Sequence, residues 1–148
     1  MRLVSACLLG IKCAWDGRDR YRDKKVIEFL REETLIPVCP EQLGGLATPR
    51  EFQEIEKGSG GDVLEGRSRV KNIIGQDVTR QFTRGAKEAL RIAKQYNIKE
   101  FIAKSNSPSC GCGFIYDGSF SKRLIKGDGV TVALFKRNGI KVITENDI

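Results

Sequence analysis

The residues best equipped for chemistry are five cysteines, Cys7, Cys13, Cys39, Cys110 and Cys112, in a chain of 148 residues without histidine. The missing histidine excludes a Ser-His-Asp or Cys-His catalytic unit and any histidine-ligated zinc. Acid–base work then falls to carboxylates, lysines, tyrosines, thiols or water. Three of the cysteines close short apolar runs. Cys7 follows Leu3-Val4-Ser5-Ala6, Cys39 follows Leu35-Ile36-Pro37-Val38, and Cys110 lies just beyond Phe101-Ile102-Ala103-Lys104. None has the Cys-x-x-Cys spacing of a zinc ribbon or thioredoxin. A free cysteine is often only a small buried hydrophobe, and Cys112 fits that description as well as any other. Thiolates otherwise suit zinc or iron–sulfur clusters. Three of them would leave a four-iron cluster with one open iron, free to take a soft substrate atom such as sulfur. A fourth, from Cys13, would favour electron transfer or a structural role.

For distant thiols to meet, the elements between them must deliver them to one edge. Residues 1–6 read as a buried strand. Val26, Ile27, Phe29 and Leu30 form a helical stripe within 23–32. Residues 35–39 are a second strand, which Pro37 marks as short or near a sheet edge. A glycine-rich stretch from Glu41 to Arg50 follows, then an irregular region to about residue 75. Within that region Ser59-Gly60-Gly61-Asp62 reads as an exposed loop. Asp77 is placed to cap a helix over 78–96, with Val78, Phe82, Ala86, Leu90, Ala93 and Tyr96 on its buried face and Asn97 ending it. Residues 98–104 are a third strand and 105–128 are loop-rich. Residues 130–136 form a helix stopped by Asn138-Gly139, and 140–144 a fourth strand. The alternation predicts a single-domain α/β architecture over 1–148, a three-layer Rossmann-like parallel sheet. Ligands of such sheets bind beyond the carboxyl ends of the strands, where Cys7, Cys39, Cys110 and Glu145 all fall.

Other residues could join that site. Glu41 stands two positions after Cys39. Like-charge repulsion and partial burial beside thiolates would raise its pKa and suit it to acid–base work; otherwise it is a surface glutamate opening a helical turn. Ser105, Ser107 and Ser109 crowd the loop before Cys110. Their hydroxyls could bond a heteroaromatic ligand or cluster sulfurs, or cap a turn, and Ser107 is the first candidate. Lys104 could anchor an anion. Gly44-Gly45 could admit a ligand against the backbone, and Gly127-x-Gly129 could cradle a phosphate before a helix. Asp16 and Asp117, each in an aromatic-Asp-Gly triplet, read as turn residues.

Composition bounds the partners. The sequence builds one domain with a sizeable core. It has no apolar run of about 18 residues, so no membrane partner is expected. The short apolar run after Met1-Arg2 does not make a signal peptide. The expected compartment is the cytoplasm, where thiols stay reduced. The formal charge of +7 would steer anions toward the chain. Its basic residues are scattered, however, with no RNA-binding motif or stacking platform, so RNA is a less favoured partner. The sequence does not set an oligomeric state. A zinc- or thiol-containing structural module and a tRNA sulfur-modifying enzyme are the alternatives to cluster catalysis.

Several segments together resemble the DUF523, or TudS-type thiouracil desulfidase, family. They are Ser5-Ala6-Cys7-Leu8-Leu9-Gly10 with Cys13 and Asp16-Gly17, and Pro37-Val38-Cys39-Pro40-Glu41 with Gly44-Gly45-Leu46 and Thr48-Pro49-Arg50. Ser107-Pro108-Ser109-Cys110-Gly111, Tyr116-Asp117-Gly118 and Gly127-x-Gly129-Val130 complete the set. Trp15, where the pattern usually has tyrosine, and Cys112 depart from it. The resemblance implies a [4Fe-4S] cluster held by Cys7, Cys39 and Cys110, whose free iron takes the sulfur of a thiolated uracil. Water then attacks the thiocarbonyl carbon and sulfur leaves as hydrogen sulfide, with no net redox change. It further implies an acid–base role for Glu41 and a polar active-site role for Ser107, while Lys104 and Glu145 match family positions without an assigned role. The implied partner is a small thiolated pyrimidine or its nucleotide.

Overall fold

A computed structural model describes residues 1–148. The four apolar runs form one parallel sheet: β1 (Arg2–Ser5), β2 (Leu35–Val38), β5 (Glu100–Ala103) and β8 (Lys141–Thr144), in the order β2-β1-β5-β8. Each pairs in parallel with its neighbour. Pro37 sits on β2, an edge strand, where its missing N–H leaves no ladder bond unmade. The period of two along a strand sorts side chains to opposite faces. Leu3, Phe101 and Ala103 face a core completed by Ala89, Leu90 and Ala93 of α4 (Thr79–Gln95) and by Val132 and Phe135 of α5 (Val130–Arg137). Val4 and Ile102 face the other way, onto Val26 of α1 (Lys24–Glu28) and Leu8. The expected three layers result.

The regions read as loops carry structure of their own. Antiparallel β3 (Gln53–Ile55) and β4 (Val70–Asn72) form one hairpin, and β6 (Phe114–Tyr116) and β7 (Leu124–Lys126) a second. Ser59-Gly60-Gly61-Asp62 is not an exposed loop. It starts α3 (Gly60–Leu64), with the Asp62 carboxylate accepting from the Ser59 N–H at 2.9 Å. A second core of Ile55, Val63, Val70, Phe82, Ile115 and Val130 fastens both hairpins to α4 and α5. Glu54, 1% exposed, accepts from the N–H groups of Gly118 (2.9 Å) and Phe120 (3.2 Å) and so ties the hairpins together.

Helix ends depart from expectation in detail. Val78, not Asp77, is the residue flanking α4, although the Asp77 carboxylate still accepts from the Thr79 N–H at 2.9 Å. Tyr96 is exposed rather than buried, because the helix ends at Gln95 before its face returns to the core. Asn97 takes the left-handed conformation (φ 52°) that closes the helix.

Two glycines set the position of α2 (Pro40–Leu43), the short helix that carries Glu41. A Cβ at Gly44 would stand 1.9 Å from the Gln81 carbonyl oxygen, and one at Gly85 would stand 1.8 Å from that of Pro40. Gly44 therefore serves helix–helix approach rather than ligand approach. Gly129 similarly packs on Ser109, where a Cβ would meet backbone at 2.5 Å, and forms no open phosphate cradle.

Beyond the strand ends, Lys104 Nζ donates to Glu145 Oε1 at 2.9 Å, and the Ser105 N–H donates to Glu145 Oε2 at 2.9 Å. Burial alone would raise the Glu145 pKa, but the bonds from Ser105 and Lys104 outweigh it and hold the carboxyl below its ordinary range. A depressed folded-state pKa contributes stability above the unfolded value, and loses it as pH falls through the folded one. Two outcomes are expected. Gly85→Ala should lower unfolding stability in urea by about 1–3 kcal/mol; a loss below about 0.5 kcal/mol, the range of neutral surface changes, would contradict the backbone-contact account. Glu145→Gln should cost about 1–3 kcal/mol at pH 7, and the gap to the unaltered protein should narrow as pH drops below about 4. A gap independent of pH would show that the carboxylate charge is not the source.

Candidate functional site

A cleft of about 730 Å³, counted out to its open mouth, lies beyond the carboxyl ends of β1, β2 and β5. Each thiol arrives there by a different local device. Cys7 is half-buried on the single 3-10 turn Ala6–Leu9 that follows β1, and Gly10 closes this turn with a left-handed φ of 83°. Cys39 is the residue flanking α2, whose first helical position is Pro40. Cys110, 5% exposed, sits in a turn whose Ser109 and Cys110 N–H groups both donate to Ser107 Oγ at 3.1 Å. Cys13 is buried in the same cleft, and its carbonyl accepts from the Cys39 thiol at 3.7 Å. Cys112 lies outside, packed against the core beneath α5 with its thiol 4.0 Å from the Val142 carbonyl.

Crowding shapes the electrostatics. Contact with Cys39 pulls the Cys13 pKa down, but contact with Cys7 and burial outweigh it and push the thiol up to about 11. Its bond to Cys13, burial and neighbouring charges push Cys39 strongly upward. Burial first, then the Cys39 and Glu41 charges, push Cys110 up to about 12 against opposing bonds from Ser5 and Ser109. Raised pKa values oppose joint ionisation of these thiols, and the positive charge of a bound metal is what would favour their thiolate forms. No three Cys, Asp or Glu side chains converge closely enough to hold a single metal ion. A lining rich in cysteine and without histidine is the donor chemistry that suits an iron–sulfur cluster.

Glu41 reaches the cleft from the first turn of α2. Burial raises its pKa, and Arg50 opposes the rise. The Arg50 side chain is itself 6% exposed. Its Nε donates to Glu41 Oε1 at 3.0 Å, Nη1 to Thr48 Oγ1 at 2.9 Å, and Nη2 to the Cys13 carbonyl at 2.9 Å. Glu41 Oε2 is left without a partner from the chain. The serines divide by role. Ser107 lines the cleft and caps the Cys110 turn through its oxygen, leaving its hydroxyl proton to donate. Ser105 Oγ is engaged by Glu145 at 2.6 Å, and Ser109 is buried against Thr131 at 2.9 Å. Lys104 lines the cleft but is bound to Glu145, with Nζ 4.8 Å from the Tyr21 ring centroid. Arg50 and Lys104 are the only cations in the lining, and both are paired. Asp16 and Asp117 serve turns, accepting from Arg18 N–H at 3.1 Å and Ser119 N–H at 2.9 Å.

The structure adds a wall that sequence reasoning missed. Phe52 meets Trp15 edge-on with ring centroids 5.4 Å apart, and Tyr116 at 5.9 Å. With Tyr21 these aromatics line one side of the cleft beside Gln53 and Asn106. Positions 15, 21, 52 and 116 share no spacing signal; only the fold gathers them.

Comparison with known proteins gives the chain a family. The 2-thiouracil desulfurase family profile matches residues 3–147. The Bacillus subtilis (strain 168) protein YbbK, itself uncharacterised, is 46% identical over 148 residues, covering 100% of this chain and 97% of its own. The solved structure of the [4Fe-4S]-dependent thiouracil desulfidase TudS superposes with a TM-score of 0.85 at 36% identity, covering 99% of this chain and 91% of that one. Sequence profile and three-dimensional match each span nearly the whole chain, and the chain belongs to the 2-thiouracil desulfurase family.

Proposed function

We propose that this chain is an iron–sulfur-dependent desulfidase that hydrolyses the thiocarbonyl of a thiolated uracil, exchanging C=S and water for C=O and hydrogen sulfide. The observation that carries the reading is the meeting of Cys7, Cys39 and Cys110 with Glu41 in one aromatic-walled cleft. Cys7, Cys39 and Cys110 would hold a [4Fe-4S] cluster, and no histidine competes as a ligand. When bound, the cluster supplies a soft Lewis acid for the departing sulfur.

The remaining work falls to the chain. The aromatic wall excludes water from one face of the heterocycle and fixes its plane. Glu41, held through Oε1, has Oε2 free to take a proton from the attacking water. The Ser107 hydroxyl can donate to a ring heteroatom while its oxygen keeps the Cys110 turn closed. With both lining cations already paired, the cleft itself favours a neutral base, and a substrate phosphate would have to be read outside it.

Anaerobically reconstituted protein should release sulfide and uracil from 4-thiouracil. Iron-loaded protein inert toward every thiolated pyrimidine, or zinc found without iron and sulfide, would overturn the reading. Cys39→Ser should lose most of its iron and acid-labile sulfide, and sulfide release should drop at least about 100-fold with them. Glu41→Gln should keep the iron content but lower kcat by about 10²–10⁴-fold. A kcat within about threefold of the unaltered enzyme, against that range, would remove Glu41 from proton transfer.

A further inference from the structure

Gln53 opens β3 on the wall of the cleft and is only 4% exposed, yet its carboxamide makes no hydrogen bond within the chain. The one sealed side-chain polar atom without a hydrogen bond is Asp16 Oδ2, which has Arg20 Nε 2.6 Å away. The Gln53 oxygen and nitrogen are therefore not sealed. They keep some access to solvent, and the residue lines the cleft. A buried amide left in this state is costly unless a ligand or water completes it. The ionic groups around it are otherwise engaged: Arg50 with Glu41, and Lys104 with Glu145. Its neighbour Phe52 belongs to the aromatic wall with Trp15 and Tyr116, and all four residues line the same cleft.

A carboxamide offers a donor and an acceptor in one plane. That pattern complements a ring edge carrying N–H beside C=O, in the way glutamine reads a base edge bidentately. We propose that Gln53 is a specificity-determining residue, pairing with the –NH–C(=O)– edge of a pyrimidinone and selecting rings that keep a free N–H next to a carbonyl. The choice of ring rests on the desulfidase reading; the pairing itself rests on the free amide.

Calorimetric titration of the reconstituted protein with uracil and with 1,3-dimethyluracil, which lacks both N–H donors, separates the two. The unaltered protein should bind uracil at least about tenfold more tightly than the dimethyl compound. Gln53→Met, similar in length but without the amide, should bring the two affinities within about threefold of each other. Gln53→Glu, which keeps an acceptor and loses the donors, should fall between and serves if the methionine variant does not fold. Equal binding of both compounds by the unaltered protein, no uracil binding, or full discrimination retained in a folded variant would overturn the proposal. Discrimination by Gln53 without sulfide release from 4-thiouracil would sink the desulfidase reading alone. Sulfide release without discrimination would sink the Gln53 proposal alone.

Discussion

The guanidinium of Arg50 is the interaction on which the cleft depends. A buried cation must be matched by charge and by hydrogen bonds for all its donors. Arg50 finds them on three separate segments: Glu41 at the start of α2, Thr48 in the following turn, and the carbonyl of Cys13. Its own backbone N–H donates to the Trp15 carbonyl at 2.7 Å. One residue, through its side chain and its backbone N–H, thus fixes a carboxylate, a thiol-bearing loop and the first aromatic of the wall in a common frame. The planar fork of arginine makes this possible; a lysine at the same place could neutralise Glu41 but could not span the three partners.

Around that frame the fold divides its labour. The parallel sheet places thiols, because its strands end on one side and each hands over directly to a turn. The two hairpins bring Phe52 and Gln53 on one and Tyr116 on the other, and Phe52 there meets Trp15 from the segment after β1. Glu54 and the second apolar core hold the hairpins together and against the helices. Under the proposed function, the sheet's thiols and the hairpins' share of the aromatic wall come from different elements that meet in the cleft.

This division also explains what could be read from the sequence. The four sheet strands were legible because each is a short apolar run ending in a turn former, and the order of such runs with intervening helical stripes leaves few topologies. Cys7, Cys39, Cys110, Glu41 and Ser107 were legible because they stand just past those runs. The hairpins were not. Gln53-Glu54-Ile55 and Val70-Lys71-Asn72 are too short and too polar to show a period of two, and their burial comes from tertiary contacts such as Glu54 on Gly118. Arg50 is one of 26 basic residues, and nothing local marks it as buried. Gly85 interrupts a helical pattern, and its reason lies in the carbonyl of Pro40 across the helix contact.

The pairing of β1 with β5 carries a consequence for biosynthesis. The first strand made is central in the sheet, and one of its two partners is made almost a hundred residues later. At ribosomal rates of roughly 5–20 residues per second, Cys7 waits on the order of 5–20 seconds before Cys110 exists. Throughout that interval the early thiols stand on a nascent chain without the cleft that later encloses them. The strand order thus leaves the three thiols to come together only once β5 has been made and paired with β1.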